Sequence, residues 1–411
     1  MPAAGRAVGA PRRALVHVEA HIWPVDCGFH MRVWQLLDTL QALGYEVHLV
    51  SSQWRPGTRG YWTEAARQHL AERGIRLTLA PFGVGSLDFW LAAAINVLHK
   101  KIGGECFISP ASKYYHRPQL EALWRQQLQA GPWHVVLVNY AHWHRLTRLA
   151  RAAGIPTLMD MHDLMAEQYV SLWESLKGRR PSAERIARIH ADELACMAGA
   201  DTVLAINPAE KEQIQPQLQT RVANLPFCLP EPVVSSVKVA PADVLVVGSG
   251  TEHNRRGLRQ FLATAWPAIR AAKPAATLVI CGRVSEGLAP APGVTAHLRV
   301  PDLSPYYQAA SIVLLTTVSG SGIKIKTIEA LAQGACLVAH QHSVHGIPFS
   351  AGQHGEVVAD LGQAAPVILG LLDSPSRRHQ YQVAAKALFR EHFAARAGQA
   401  RLAEIIGIAA A

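Results

Sequence analysis

Long apolar runs are missing from this sequence of 411 residues. The longest uncharged, strongly apolar stretch is about Phe89–Leu98, half of the ~20 residues that a membrane-spanning helix needs. Cysteine is sparse: Cys27, Cys106, Cys196, Cys228, Cys281 and Cys336 are scattered with no CxxC spacing. This argues against a zinc site and a disulfide framework and fits a reducing cytoplasm. The N-terminal stretch carries Arg6, Arg12 and Arg13, and Ala14–Ile22 includes His17, Glu19 and His21, too short and too polar for a signal-peptide core. Low-complexity tracts and short internal repeats are also absent. Apolar residues make up 49% and charged residues 17%, which excludes a disordered chain and provides for sizeable cores.

Lysine is scarce too: 10 of the 40 basic residues, against 30 arginines. The formal net charge is +10. It is spread along the chain, with 22 basic and 16 acidic residues in 1–200 and 18 against 14 in 201–411. A diffuse arginine-rich surface suits anionic small ligands or an anionic membrane face. With no zinc-finger, basic-zipper or RNP pattern, no nucleic-acid partner is expected.

Two series of alternating strands and helices are read along the chain. Strands are predicted at Ala14–Val18, Glu46–Val50, Ile75–Leu79, Val135–Val138, Thr157–Met159 and Thr202–Ala205, with a helix over Met31–Leu43 stopped by Gly44. Pro226, Pro230, Pro232 and Pro241 mark a linker. A second series follows: strands at Asp243–Val247, Thr277–Cys281, Ile312–Leu315 and Cys336–Ala339, and helices at Gly257–Ala271, Ser304–Ala310 and Ile325–Ala332. Helices at about Ser376–Phe393 and Ala397–Ile408 end the chain. The pattern implies two tandem α/β domains, each a doubly wound parallel sheet, with a cleft between them and ligands at the carboxyl ends of the strands.

The segment Ser319-Gly-Ser-Gly-Ile-Lys-Ile-Lys-Thr-Ile-Glu-Ala-Leu-Ala-Gln-Gly334 carries the most chemistry. It reads as a glycine loop entering a helix. Backbone N–H groups at such a helix start favour a phosphate. Lys324 and Lys326 lie at the end where the dipole disfavours cations, which suggests a bound anion. One turn on, Glu329 could accept from the two hydroxyls of a ribose; an ordinary Glu–Lys pair on a solvated face is the competing reading.

These residues resemble the C-terminal signature of the family-4, or group 1, glycosyltransferases, whose pattern in one branch is G-x-G-x-K-x-K-x-x-E-A-(L/M)-A-x-G. Pro24, Gly28 and Arg32, then Gly44-Tyr-Glu-Val, resemble the family's opening. His253-Asn-Arg-Arg-Gly257 resembles the start of its donor domain. The resemblance implies a GT-B fold, α/β, of two Rossmann-like domains facing across a cleft: an acceptor-side domain over 1–228, a nucleotide-sugar domain over 229–390, and a C-terminal helix in 391–411 returning to the first. It implies metal-independent transfer of a sugar, with retention, from a nucleotide-sugar to an unknown glycan, lipid-linked or small-molecule acceptor, with no cofactor. The departing diphosphate takes the acceptor proton in such a reaction. A GT-B nucleotide-sugar epimerase and a non-catalytic GT-B-like scaffold are the alternatives.

Carried over residue by residue, the resemblance assigns Glu329 to the donor ribose and one of Lys324 and Lys326 to the diphosphate. It sets Arg256 near a further diphosphate contact, and Gly322 and Ser321 in the donor loop. Ser321 stands where the wider family has a glutamate, and Ser249 where it has an arginine. Gly28 matches the loop that approaches phosphate and acceptor. In Met159-Asp-Met-His-Asp163 it sets His162 and Asp163 beside the transferred sugar. Lys324 and His162 are the expected catalytic residues. A capping role for Asp163 competes. His142 and His144 are read as loop residues and not as zinc ligands. Phe89–Lys101 is read either as a buried helix or as a peripheral contact with the inner membrane face.

Overall fold

A computed structural model describes residues 11–25, 27–58, 60–101, 111, 115–319 and 322–408. The chain divides into two units, one of Met1–Leu225 with Gln399–Ala411 and one of Pro226–Gly398. The boundary falls at Leu225, where β7 has ended and the proline-rich segment begins, and not at 228.

The strands of the first unit are β1 (Arg12–His17), β2 (Tyr45–Gln53), β3 (Arg76–Pro81), β4 (Val135–Asn139), β5 (Thr157–Asp160), β6 (Thr202–Ala205) and β7 (Arg221–Asn224). They form one parallel sheet in the order β3-β2-β1-β4-β5-β6-β7. Its helices are α1 (Gly28–Ala42), α2 (Glu64–Glu72), α3 (Leu87–Lys101), α4 (Pro118–Gln129), α5 (His144–Ala152), α6 (Ala166–Lys177), α7 (Ala183–Met197) and α8 (Pro208–Ile214). Successive strand residues face opposite sides. Ala14 and Val16 join Val33, Leu36, Leu37 and Leu40 of α1 in one core. Leu15 joins Leu120 and Trp124 of α4 in another. Helix α1 stops where Gly44, at φ 81°, turns the chain into β2.

In the second unit β8 (Ala242–Val247), β9 (Leu278–Cys281), β10 (Val294–His297), β11 (Ala310–Leu315), β12 (Leu337–His340) and β13 (Gly355–Val358) form a parallel sheet in the order β10-β9-β8-β11-β12-β13. Helices α9 (Glu252–Gln260), α10 (Trp266–Ala272), α11 (Ser304–Ala309), α12 (Ile325–Ala332), α13 (Ala365–Leu372) and α14 (Pro375–His392) surround it. The single helix predicted over Gly257–Ala271 begins at Glu252 instead and passes through a π-helical turn at Phe261–Ala265 between α9 and α10. The last helix, α15 (Ala395–Ile406), starts in the second unit and contributes Leu402 and Ile405 to the core of the first. The expected segment 391–411 is divided after Gly398, within α15, and its first two residues belong to α14.

Three strands escape the sequence reading: β7, β10 and β13. Each is four residues long and pairs with one neighbour only, at a sheet edge. Such strands carry little of the burial that produces a periodic signal.

Candidate functional site

Both sheets change winding direction once: between β1 and β4 in the first unit and between β8 and β11 in the second. Ligands of doubly wound sheets bind outside the carboxyl ends of the strands at such a point. The notable side chains of each unit collect there.

In the first unit, Arg32 of α1 reaches Asp160 at the end of β5 with two bonds, Nε to Oδ2 at 3.1 Å and Nη2 to Oδ1 at 2.9 Å. The side chains are 2% and 0% exposed. His162 follows two residues later. Its Nε2 lies 2.9 Å from Asn139 Oδ1 and 3.3 Å from Asp160 Oδ2. Both neighbours accept, since the Asn139 amide nitrogen already donates to the His17 carbonyl at 2.7 Å. Nε2 therefore carries the proton and donates. Burial pushes the His162 pKa down to about 4; Asp160 opposes this and Arg32 adds to it. The imidazole is neutral at pH 7. Burial alone would raise the Asp160 pKa, but the Arg32 charge, with His162, holds it below the ordinary carboxylate value.

Tyr140 and His162 occupy the left-handed region, at φ 68° and 62°, and are the two non-glycine residues to do so among the described residues. This conformation is uncommon for such side chains and concentrates at functional sites. Their rings stack, with centroids 4.1 Å apart. Tyr140 also stacks on His142 at 5.2 Å, and His142 on Tyr115 at 4.2 Å. His142 Nε2 sits 3.3 Å from Glu19 Oε2, just past β1. Burial raises the Glu19 pKa, but the His142 bond and the nearby positive groups outweigh it and leave the carboxyl below its ordinary value. His142, read as a loop residue, is thus a buried, paired member of this site, because the turn after β4 directs it inward.

Gly28 opens α1 and is exposed, and the preceding Cys27 provides no side-chain cap. Asp163 is half-buried beside His162. At the start of α6, Glu193 of α7 accepts from Met165 N at 2.8 Å and Ala166 N at 3.0 Å.

In the second unit, the turn after β11 leads into α12. Lys324 stands at the N-cap position of that helix and donates through Nζ to the Gly322 carbonyl at 2.9 Å. Lys326 Nζ lies 2.7 Å from Glu329 Oε2; the two side chains are 36% and 17% exposed. Gly322 has φ 73°; Ser321 lies outside the described residues. Ser343 fixes the loop: its hydroxyl accepts from Thr317 N at 3.2 Å and directs its one proton between Leu315 O at 3.2 Å and Thr317 O at 3.1 Å. Two residues past β8, Ser249 accepts from Asn254 of α9, which in turn accepts from Thr317 Oγ1 at 2.7 Å. A Cβ on Gly257 would lie 2.0 Å from the Thr316 carbonyl oxygen, so only glycine lets α9 approach β11 this closely. Arg256, beside it, is exposed and forms no ion pair among the described residues.

The structure thus brings Lys324, Lys326, Glu329, Gly322 and Arg256 to one end of the second sheet. It brings His162, Asp163 and Gly28 to the corresponding end of the first. Glu19, Asn139 and Tyr140 were not foreseen. Glu19 and His142 are 123 residues apart, so spacing held no signal for that pair.

The chain matches two family models: one described as glycosyl transferases group 1, over residues 241–374, and one described as a glycosyl transferase 4-like domain, over residues 28–226. No curated protein matches it. Among solved structures it is similar to a sucrose-phosphate synthase from Thermosynechococcus elongatus, at 17% identity, TM-score 0.61, covering 96% of this chain and 98% of that one. It is similar to Anabaena HepE in complex with UDP, at 12% identity, TM-score 0.65, covering 96% and 99%. A UDP-forming α,α-trehalose-phosphate synthase from Burkholderia vietnamiensis is similar at 12% identity, TM-score 0.62, covering 97% and 100%. With the matched models extending over both parallel-sheet units, the chain belongs to the group 1 glycosyltransferases and has the GT-B fold.

Proposed function

We propose that this glycosyltransferase moves a sugar from a nucleoside-diphosphate sugar to its acceptor with retention of anomeric configuration and without a metal ion. The observation that carries the reading is the Lys324, Lys326 and Glu329 group at the start of α12, outside the carboxyl end of β11. Glu329 accepts the two hydroxyls of the donor ribose, which releases Lys326 from its ion pair. Lys324, with the amides of the α12 N-terminus, meets the diphosphate, and Arg256 adds charge. Breaking a glycosyl–phosphate bond builds negative charge on the leaving diphosphate, and preorganised cations and N–H donors lower that barrier. The departing phosphate takes the acceptor proton, so no pair of carboxylates across the bond is needed. Neutral His162, held by Asn139 and Asp160, faces the transferred sugar as a hydrogen-bonding group.

UDP is the first nucleotide to test, since a UDP complex and a UDP-forming synthase are among the structural neighbours. The described cysteines Cys27, Cys196, Cys228, Cys281 and Cys336 form no disulfide with one another, which suits a reducing compartment. Calorimetric titration with UDP, GDP and ADP tests the reading. Binding of one of them, weakened at least tenfold by Glu329→Ala, is expected; no binding of any nucleoside diphosphate or nucleotide-sugar refutes it. NMR of the product's anomeric proton tests retention, and an unchanged rate in EDTA tests metal independence.

A further inference from the structure

Helix α3 (Leu87–Lys101) has its apolar side outward. Its inward side is fixed by Asp88, 1% exposed, whose carboxylate accepts from Gln119 N at 2.7 Å and Leu120 N at 3.0 Å at the start of α4. Ala92, one turn on, is buried beside it. With Asp88 committed to α4, Leu87, Trp90, Val97 and Leu98 point to solvent, each more than half exposed. Positions 87, 90, 94, 97 and 98 fall within one stripe of a helix. The indole N–H of Trp90 donates to the Val84 carbonyl at 2.6 Å, which adds the exposed Val84 to the same patch. A contiguous exposed apolar patch of this kind marks an interaction surface. No helix among the described residues is long and apolar enough to cross a membrane.

Charge around the patch selects the occupant. The helix ends in Lys100 and Lys101. The exposed Arg55 packs its Cβ 4.0 Å from where a Cβ on Gly83 would stand, next to Val84. The described residues of the stretch 52–63 include Arg55 and no acidic residue. An apolar stripe with tryptophan, on a helix whose sequence ends in two lysines and whose one carboxylate is buried, with Arg55 nearby, matches the boundary layer of an anionic bilayer. We propose that α3 is a membrane-docking helix that seats the first unit on anionic lipid through Leu87, Trp90, Val97 and Leu98, a property independent of the chemistry proposed for the sugar transfer.

Co-sedimentation of the full chain with vesicles tests this, using phosphatidylcholine alone and phosphatidylcholine with a quarter phosphatidylglycerol. The chain is expected to pellet with the anionic vesicles at least tenfold more than with neutral ones, and less at 0.5 M NaCl. Trp90→Ser with Leu98→Ser, both already exposed, is expected to weaken binding at least tenfold with an unchanged melting profile. Separately, Trp90→Phe is expected to retain binding. No pelleting with anionic vesicles overturns the proposal, as does equal pelleting of the wild type and the double variant. A dimer in light scattering that the double variant dissolves, without vesicle binding, makes the stripe a protein interface and also overturns it.

Discussion

Replacing Arg32 by methionine tests the site in the first unit. Asp160 is fully buried, and two of its contacts are the Arg32 bonds at 2.9 and 3.1 Å. Methionine keeps most of the side-chain volume and removes the charge, leaving Asp160 with His162 at 3.3 Å. Breaking a buried pair by removing one partner costs about 3–5 kcal/mol. For a unit of this size that corresponds to a melting point lower by about 6–20 °C. Scanning calorimetry and urea unfolding at pH 7 measure it. The double variant Arg32→Met, Asp160→Leu should recover most of the loss, because two apolar groups can replace a buried pair at little cost. The pH dependence follows from the same contacts. The folded Asp160 pKa is depressed, so its contribution is present above about pH 4 and lost as pH falls through the folded value. The His162 pKa is lowered from 6.5 to about 4 in the folded state. Its neutral form therefore stabilises fully above pH 6.5, and this is lost, about 3 kcal/mol in all, as pH falls from 6.5 to 4. Without Arg32 one of the influences depressing His162 disappears, so the variant's stability should fall less steeply over that range. A loss below about 1 kcal/mol for Arg32→Met, or a double variant no better than the single one, refutes the account.

Gly257→Ala would set a Cβ 2.0 Å from the Thr316 carbonyl oxygen; the forced shift of α9 should cost about 1–3 kcal/mol and weaken nucleotide affinity in calorimetry. Leu402→Ala, near the end of the chain, should lower the stability of the first unit by about 2–5 kcal/mol, because Leu402 is fully buried in that unit's core; a shift confined to the transition of the second unit would contradict this. Glu19→Gln removes the charge that faces His142 at 3.3 Å. It should reduce the rate or raise the acceptor KM while leaving the nucleotide Kd unchanged, and equal kinetics would take Glu19 out of the acceptor side.

The second unit's candidate site is legible in the sequence because its parts are local. Gly322, Lys324, Lys326 and Glu329 fall within eight residues, and a strand, a turn and a helix of predictable length bring them together. Even the Lys326–Glu329 pairing follows from helical spacing three residues apart. The first unit's site is assembled differently. Arg32 and Asp160 are 128 residues apart, Glu19 and His142 are 123 apart, and what joins them is the adjacency of β1, β4 and β5 in the sheet. Strand order is a property of the whole fold, and no spacing along the chain encodes it. The left-handed backbone of Tyr140 and His162 is also silent, since neither is a glycine or asparagine whose presence would announce it. Tyr140 immediately follows β4 and His162 lies two residues past the end of the neighbouring parallel β5, and Tyr140 N donates to the Asp160 carbonyl at 2.8 Å. The reversed backbone turns both rings into one stack instead of letting them continue along the strands. The strain at these two positions is therefore the means by which the carboxyl end of the sheet becomes a shaped surface, and it could be read only once the strands were known to be neighbours.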